Sequence, residues 1–590
     1  MININREKWE ISKADTPAKK ILIEKWLEIF NRYTIDTYRV HFHSSHSILV
    51  ELLDLLAISR EFNIPPRYLQ WVAEEALALL KDDPVIPQII KPYGALLGEL
   101  SNKLNWENEG AASNIKYLVG SFVGLLNTSY LESLFQAVKI KVKQGDEDSI
   151  VKLVDRMGSY LVSSELSPDF LYAVGNSFFK DQSLSFEDKL DNFLESITPK
   201  ENTFQVVIKF ELSNADSAPE NILDIEISKK KNPKTKNPIE ISYLTGGDYT
   251  YYATVNMKAR DLHMAGIKSV QKLESALDVY SYGFPINKIA IDSYVIVYMD
   301  LGRQFKRVAA RPILPGFYRS DEEWFRTVNQ YTSQIYQNQK VSNRTKDKIR
   351  SALRYGRQGR LSINVEEKFM NIWIAFEFLL RRPGYRNIID PIIEFGPKIL
   401  SIYHCRKILR DLVENINRLK VVYSQNIREK LDTGRQFKSK EARLLAILRN
   451  QVDRQELLEA SQNWPLLQFR IKQVADRFSS SESIWKSIQT HEQIVRWHLA
   501  RIYRLRNRIV HGGEHNLLIN QLSSNLTSYL FDTLNEAVYQ LATRESWNSI
   551  EDVISAYAFT YDIAANRLKK DKTSSIHLDE VIDPIRCLIP

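Results

Sequence analysis

The chain has 590 residues, too many for one hydrophobic core, so about three domains are expected. A hydrophobic content of 44% and a charged content of 26% are typical of a soluble globular protein, and a net charge of +8 is compatible with an RNA partner without requiring one. The two cysteines, Cys405 and Cys587, exclude a disulfide framework and a zinc site built from thiolates alone, and they fit a reducing cytoplasm.

Residues 1–200 are predicted to form a helical N-terminal domain. The segments Ile21–Phe30 and Ile48–Leu56 carry apolar residues at the helical period. The first residues lack the apolar core of a signal peptide, and no apolar run approaches the roughly 18 residues of a membrane span. We therefore expect a cytoplasmic protein that has no membrane partner.

Three histidines lie close together in this first region, at His41, His43 and His46. Their spacing permits a metal site, and a zinc hydrolase built on them is one alternative function. No carboxylate or thiolate is adjacent in the sequence, which favours a solvated loop or the start of a helix.

Residues 201–318 are predicted to form a small α+β middle domain. Phe204–Leu212 alternates apolar and mostly polar residues, the pattern of a strand. The other predicted elements are strands at Ile222–Ile227, Ile239–Leu244, Tyr251–Met257 and Ala290–Met299 and a helix at Ala259–Tyr280. The lysine-rich run Lys229–Pro238 is predicted to be a solvated loop, with contact to a phosphate backbone as the alternative.

Residues 319–590 return to helical patterns, so the chain as a whole is predicted to be mainly α. The predicted helices are Asp321–Gln337, Thr345–Tyr355, Val365–Leu380, Cys405–Lys430, Glu441–Leu448, Glu456–Ser461, Gln468–Arg477, Ile484–Arg508, Ile519–Arg544 and Ile550–Arg567. Breaks are expected at Pro383-Gly384, Pro391, Thr433-Gly434 and Gly512-Gly513.

The most informative stretch is the basic segment Arg501–Gly513. Its glycine pair is typical of a helix end. Just before that end, Arg506, Asn507 and His511 place a guanidinium, an amide and an imidazole within about two helical turns. A basic surface helix with a histidine near its C-terminus would show the same residues, because the helix dipole favours a cation there.

The segment Arg506–Gly512 resembles the signature of HEPN domains, in which an arginine, often followed by a polar residue, precedes a histidine. A second stretch, Val365–Leu380 with its embedded Glu377, is similar to the upstream helix of the Apea-like HEPN group. The resemblance covers about residues 365–545 and implies a C-terminal helical bundle with insertions.

The resemblance implies a metal-independent endoribonuclease of a bacterial antiviral defence, abortive-infection or toxin system, with no cofactor. Two HEPN units usually form one composite groove, and one strong motif is visible here, so we expect a homodimer. RNA is the expected substrate, with transfer RNA suggested by the wider family, and a phage-derived trigger or regulatory partner is expected.

The chemistry assigns a role to each motif residue. Arg506 would hold the scissile phosphate, His511 would be the acid–base group and Asn507 would position one of them, with Glu377 pairing with or orienting Arg506. Arg501, Arg504 and Arg508 would line the groove as phosphate contacts. The alternatives are a non-catalytic HEPN module that binds RNA or nucleotides and a helical scaffold without an RNA role.

Overall fold

A computed structural model describes residues 16–31, 42–58, 65–91, 93–102, 109–178, 184–213, 220–246, 251–283, 288–299, 304–310, 322–362, 364–433, 439–512 and 519–570. Within these ranges the protein is mainly helical, with a small antiparallel sheet between two helical regions. The predicted fold class is therefore confirmed.

The helices before the sheet cover most of the described N-terminal region. They are α1 Pro17–Phe30, α2 Ser45–Ile58, α3 Pro66–Asp82, α4 Ile86–Ile89, α5 Tyr93–Ser101, α6 Glu109–Gln144, α7 Glu147–Ser163, α8 Pro168–Phe178 and α9 Phe186–Ser196. Local signals set their starts: Asp146 accepts a hydrogen bond from the Ser149 amide at 3.1 Å and so caps α7.

The middle of the chain forms a six-stranded sheet in the order β2-β3-β4-β1-β5-β6. Its elements are β1 Asn202–Ser213, β2 Asn221–Ile222, β3 Ile225–Ser228, α10 Pro238–Thr245, β4 Tyr251–Ala259, α11 Leu262–Gly283, β5 Lys288–Met299 and β6 Gln304–Ala309. The longest ladders join β1 antiparallel to β4 and to β5. One sheet face packs on α11 in an apolar cluster, and α10 contributes to a smaller cluster on the other face.

The helices after the sheet form the C-terminal region. They are α12 Glu322–Gln337, α13 Asn343–Leu361, α14 Val365–Leu380, α15 Ile389–Ile402, α16 His404–Arg418, α17 Gln425–Arg428, α18 Lys440–Arg449, α19 Gln451–Ala460, α20 Pro465–Arg477, α21 Ser481–Gly512, α22 Ile519–Thr543 and α23 Ile550–Lys570. A π-helical turn, Glu429–Thr433, follows α17.

Three local predictions were wrong. The segment predicted as a strand at Ile239–Leu244 is the helix α10, because Pro238 stands at its first position and Asn237 Oδ1 accepts from the Ile239 amide at 2.9 Å. The two-residue turn at 223–224 divides the strand predicted at Ile222–Ile227 into β2 and β3. The single helix predicted at Cys405–Lys430 ends at Arg418, where Lys420 takes a positive φ of 50°.

One helix was missed. Residues 389–402 are helical although a break was expected at Pro391. Pro391 lies in the first turn, where a missing N–H needs no partner, and Pro397 is tolerated inside the helix. Phe395 and Ile399 pack into the core around it, so tertiary burial outweighs the local penalty.

The two helical regions share a core. Buried apolar side chains from 18–197 and from 335–568 belong to one contiguous cluster, whereas the sheet has clusters of its own. Buried ion pairs cross between the two regions: Arg470 Nη2 lies 2.6 Å from Glu28 Oε2, and both side chains are buried. The N-terminal helices therefore pack directly on the region that carries the motif.

The sheet is joined to the N-terminal region through Asp261. Its carboxylate accepts hydrogen bonds from the Ser167 amide at 2.7 Å and the Ser167 hydroxyl at 2.9 Å. The same side chain accepts from the amides of His263 and Met264 at the start of α11. One buried carboxylate thus begins a helix and fixes it against α8.

Candidate functional site

The motif lies on α21, called here the motif helix. Ser480 Oγ accepts from the Ser483 amide at 3.1 Å at its start, and the helix continues for 32 residues to Gly512. The predicted helix before the glycine pair is confirmed, and His511 lies in its last turn. The side chain of His511 and residues 513–518 lie outside the described part of the chain.

The helical period divides the motif residues between two faces of this helix. Arg501, Arg504 and Arg508 are three and four residues apart and share one face. Arg506 lies roughly opposite Arg504, because two residues correspond to a rotation of about 200°, and Asn507 lies close to Tyr503, four residues before it. The structure agrees: the three arginines line a cleft, whereas Tyr503, on the side of Arg506, packs against the rings of Tyr68 and Trp373.

Arg506 and Asn507 form a local pair on the face that carries Tyr503. Arg506 Nη1 donates to Asn507 Oδ1 at 3.1 Å, and both side chains are half-buried. The buried Arg506 Nε finds no hydrogen-bond partner among the described residues. The guanidinium is therefore held by one contact and retains a donor for another group.

Glu377 belongs to α14, which packs against the same side of the motif helix. Its Oε2 accepts from Trp373 Nε1 at 3.1 Å, and the Trp373 ring lies 5.9 Å from the Tyr503 ring. No ion pair joins Glu377 to Arg506 in the described ranges. The structure brings the predicted supporting helix to the motif, while the direct Glu377–Arg506 contact stays a prediction.

Arg501, on the opposite face, lies at the centre of a buried ion-pair network. Its Nε donates to Glu51 Oε1 at 3.0 Å and Oε2 at 2.9 Å, and its Nη2 lies 2.7 Å from Glu75 Oε2. The Arg501 side chain is 4% exposed and stacks over the Phe42 ring at 5.1 Å. This arginine joins α2 and α3 to the motif helix.

Glu51 accepts from a second arginine and contacts a histidine as well. Arg504 Nη2 donates to Glu51 Oε1 at 2.6 Å, and His43 Nε2 lies 2.9 Å from Glu51 Oε2. Burial alone would raise the pKa of Glu51, but the charge of Arg501 and the contacts with His43 and Arg504 outweigh it and hold that pKa well below its usual range. Contact of Arg501 or Arg504 with a phosphate would require these carboxylates to give way.

Arg508 differs from these two arginines because its side chain is exposed. It lines the cleft beside Asp54. Burial raises the pKa of Asp54, and the charge of Arg508 counteracts that rise. Of the three arginines predicted as phosphate contacts, Arg508 is the one whose surroundings leave it open to solvent.

The cleft has a volume of about 1050 Å³ and lies between the N-terminal helices and the C-terminal helices. Along the motif helix it extends from Ser483 to Arg508, about 38 Å at the helical rise. Residues 29–31 and 42–55 form part of one wall, and residues 520–529 of α22 contribute to another. The helix that carries the motif is thus also a wall of this cleft.

The two described histidines of the N-terminal cluster, His43 and His46, have different partners. His43 is 2% exposed, so it is buried rather than solvated, and its Nδ1 pairs with Ser47 Oγ at 3.0 Å. His46 stands in the first turn of α2 and pairs with Asn127 Oδ1 at 2.7 Å. His41 lies outside the described residues. Within the described ranges, no group of three or more His, Cys, Asp or Glu side chains is placed to hold a metal ion.

Cys405 is a buried free thiol at the start of α16, and burial raises its pKa to about 12. Cys587 lies outside the described residues.

Sequence reasoning missed Glu51, Glu75 and His43 as partners of the motif helix. They precede Arg501 by more than 400 residues, and no local pattern links them to it. A buried arginine and an exposed one also look alike in a basic helix, so the sequence carried no signal that separated Arg501 from Arg508.

No protein-family model, no curated protein and no solved structure matches the chain. None of the described helices combines the length and apolarity needed to cross a bilayer.

Proposed function

We propose that this protein is a metal-independent endoribonuclease that cleaves RNA through its own 2′-hydroxyl group. The observation that carries the proposal is the Arg506–Asn507 pair, with its half-buried guanidinium oriented by an amide and its buried Nε free of a described partner. A guanidinium placed in this way suits a phosphate oxygen, which accepts from a planar fork of N–H donors.

The proposed reaction requires a base, an acid and a cationic contact. The 2′-oxygen attacks phosphorus, its proton leaves to a base, and the bond from phosphorus to the 5′-oxygen breaks as that oxygen takes a proton. His511 would serve as acid or base, since imidazole titrates near neutral pH, and Arg506 would stabilise the negative charge on the phosphorane. The products are a 2′,3′-cyclic phosphate and a free 5′-hydroxyl.

Helix geometry supports a composite site made by two copies. Arg506 and His511 are five residues apart in a continuous helix, a net angle of about 140° around its axis. One copy therefore points the two positions in different directions. In a two-fold dimer the Arg506 of one subunit can meet the His511 of the other. We propose a homodimer with the C-terminal ends of the motif helices near the two-fold axis.

Arg508 is the proposed phosphate contact outside the reacting centre. It is exposed on the face that faces the cleft, whereas Arg501 and Arg504 are engaged by Glu51. We propose that those two arginines hold the motif helix against the N-terminal helices. A role of the protein in antiviral defence or toxicity belongs to the same proposal and rests on the resemblance of the motif.

The test compares wild type with Arg506→Ala and His511→Ala in cells under phage challenge, with sequencing of RNA ends. Wild type should produce 5′-hydroxyl ends that both variants lose while remaining folded. Arg350→Ala, which removes an exposed arginine on α13, is the matched control and should cleave normally.

Purified protein allows a stricter chemical test. Cleavage should persist in EDTA and should stop at a site where deoxyribose replaces ribose. Products with 5′-phosphate ends that require added magnesium, or unchanged cleavage by folded His511→Ala protein, would refute the proposal. RNA binding without cleavage by wild type would instead favour a non-catalytic RNA-binding module.

A further inference from the structure

The end of the cleft away from Arg508 is rich in cations. Lys407 of α16, Arg477 at the end of α20 and Lys486 near the start of the motif helix all line it. Asp476 also lines the cleft, and Asp532 Oδ2 lies 3.9 Å from Lys407 Nζ. The part of the cleft that Lys407, Arg477 and Lys486 line is called here the anion end.

The motif helix adds to the positive potential. Its N-terminal turn begins at Ser481, and the partial positive charge of a helix N-terminus favours an anion. Ser483, Ser487 and Thr490 from its first three turns line the same end of the cleft. Their hydroxyl groups can donate hydrogen bonds to phosphate oxygens.

A buried histidine at the anion end points to a missing hydrogen-bond partner. His404 is 9% exposed and lines the cleft, and its Nδ1 has no partner among the described residues. Its ring stacks on His491 with centroids 4.0 Å apart, while His491 Nδ1 pairs with Ser401 Oγ at 2.8 Å. Buried polar groups are rarely left unpaired, so this imidazole, which lines the cleft without a described hydrogen bond, can receive one from a ligand in the cleft.

The two imidazoles are neutral near pH 7. Burial lowers the pKa of His404 well below its ordinary value, and burial lowers the pKa of His491 to about 3. A neutral imidazole retains one N–H donor and adds no repulsion to the neighbouring cations. The positive charge at this end thus comes from Lys407, Arg477 and Lys486.

The size of the cleft selects the kind of ligand. Its volume of about 1050 Å³ is at the upper end of the range for small-molecule sites, roughly 300–1,000 Å³. Apolar side chains such as Ile494, Leu505 and Leu522 line the stretch beyond the cations. A ligand that carries an anionic group at one end and an apolar or aromatic body at the other complements both parts.

We propose that the cleft binds a small phosphorylated ligand, with its phosphate against Lys407, Arg477, Lys486 and His404 and its body along the motif helix toward Arg508. The inference goes beyond the proposed nuclease, because it requires neither RNA cleavage nor the motif. The ligand contacts both helical regions at once, so its binding stabilises their association.

Calorimetric titration of the full chain with phenyl phosphate, inorganic phosphate and phenol tests the site. Wild type should bind phenyl phosphate more tightly than either fragment, because the phosphate and the ring are both engaged. Lys486→Ala should weaken phenyl phosphate binding by about tenfold, the loss expected for one charge-assisted contact. Lys486 is exposed, so the variant should fold, which circular dichroism verifies.

The matched control is Lys472→Ala, which removes an exposed lysine from the helix that carries Arg477 and should leave the affinity unchanged. Lys407→Ala provides a second disabling variant. Absence of saturable phenyl phosphate binding by wild type, or equal binding by Lys486→Ala, would overturn the proposal.

Two further measurements complete the test. The first asks whether the anion end binds a small ligand or RNA, and the second distinguishes this proposal from the proposed nuclease. An oligoribonucleotide that displaces phenyl phosphate from wild type would assign the anion end to RNA and overturn the small-ligand proposal. The His511→Ala variant should bind phenyl phosphate as tightly as wild type. A loss of RNA cleavage can therefore be distinguished from a loss of binding at the anion end.

Discussion

Both faces of the motif helix carry arginines, but these arginines differ in their burial and in their partners. On one face, Arg501 is buried among carboxylates from α2 and α3. On the other, Arg506 has one amide partner and a buried Nε without a described one. The comparison teaches that a basic helix can divide its arginines between holding a fold together and remaining available for a ligand, and that burial and partners separate the two.

The largest expected effect is on the buried face. Arg501→Met removes the guanidinium that contacts Glu51 and Glu75 and leaves buried carboxylates partly unpaired. The free energy of unfolding should fall by about 3–5 kcal/mol, as for other broken buried pairs. Urea denaturation at neutral pH measures this loss.

Arg508→Met is the control for that experiment. It removes an exposed arginine from the same face, and the free energy of unfolding should change by less than about 0.5 kcal/mol. Equal losses in the two variants would contradict the division between a structural Arg501 and an exposed Arg508.

A smaller effect is expected on the stability of the protein at low pH, and it comes from the buried histidines beside the cleft. The pKa of His491 is lowered by burial to about 3, so below its ordinary pKa the unfolded chain binds a proton that the folded protein excludes. The free energy of unfolding therefore falls as the pH drops below about 6.5, by about 1.4 kcal/mol per pH unit for such a histidine. His404 has a lowered pKa too and acts in the same direction.

The substitution His491→Gln removes one of these titrating groups, so the pH dependence of stability can be compared between the variant and wild type. Urea denaturation from pH 7.5 to pH 4.5 should show a shallower decline of stability in the variant than in wild type. Measurement at pH 7.5 separates the packing cost of the substitution from the titration. The same slope in both proteins would mean that His491 is not the group that titrates.

The smallest effect on stability is expected at Asn507. Asn507→Ala removes the acceptor that holds Arg506 Nη1 and should cost about 1 kcal/mol or less, since the side chain is half-buried. RNA cleavage should fall only in part, because Arg506 remains. Asn507→Asp keeps an acceptor oxygen and should retain more activity than Asn507→Ala; equal activities in the two would argue against a positioning role.

Predictions from the sequence succeeded best where the cause of a structural element lies within a few residues of that element. Val365–Leu380 is a helix with the predicted bounds, because Asn364 caps it and its apolar residues follow the helical period. Ile239–Leu244 is predicted to be a strand, yet the start signal at Asn237-Pro238 makes it a helix. Residues 389–402 form a helix where a break was expected at Pro391, because tertiary packing stabilises it.

The sequence by itself determined the mainly helical class, the middle sheet and the position of Arg506, Asn507 and His511 near the end of a long helix. These features depend on periodicity and end signals within a few residues of each other. Tertiary structure alone decided that Glu51 and Glu75 bury Arg501, that α14 packs on the side of Arg506, and that Lys407, Arg477 and Lys486 meet in one cleft. Such contacts join residues tens to hundreds of positions apart, and they form only because burial of the shared apolar core brings the two helical regions together.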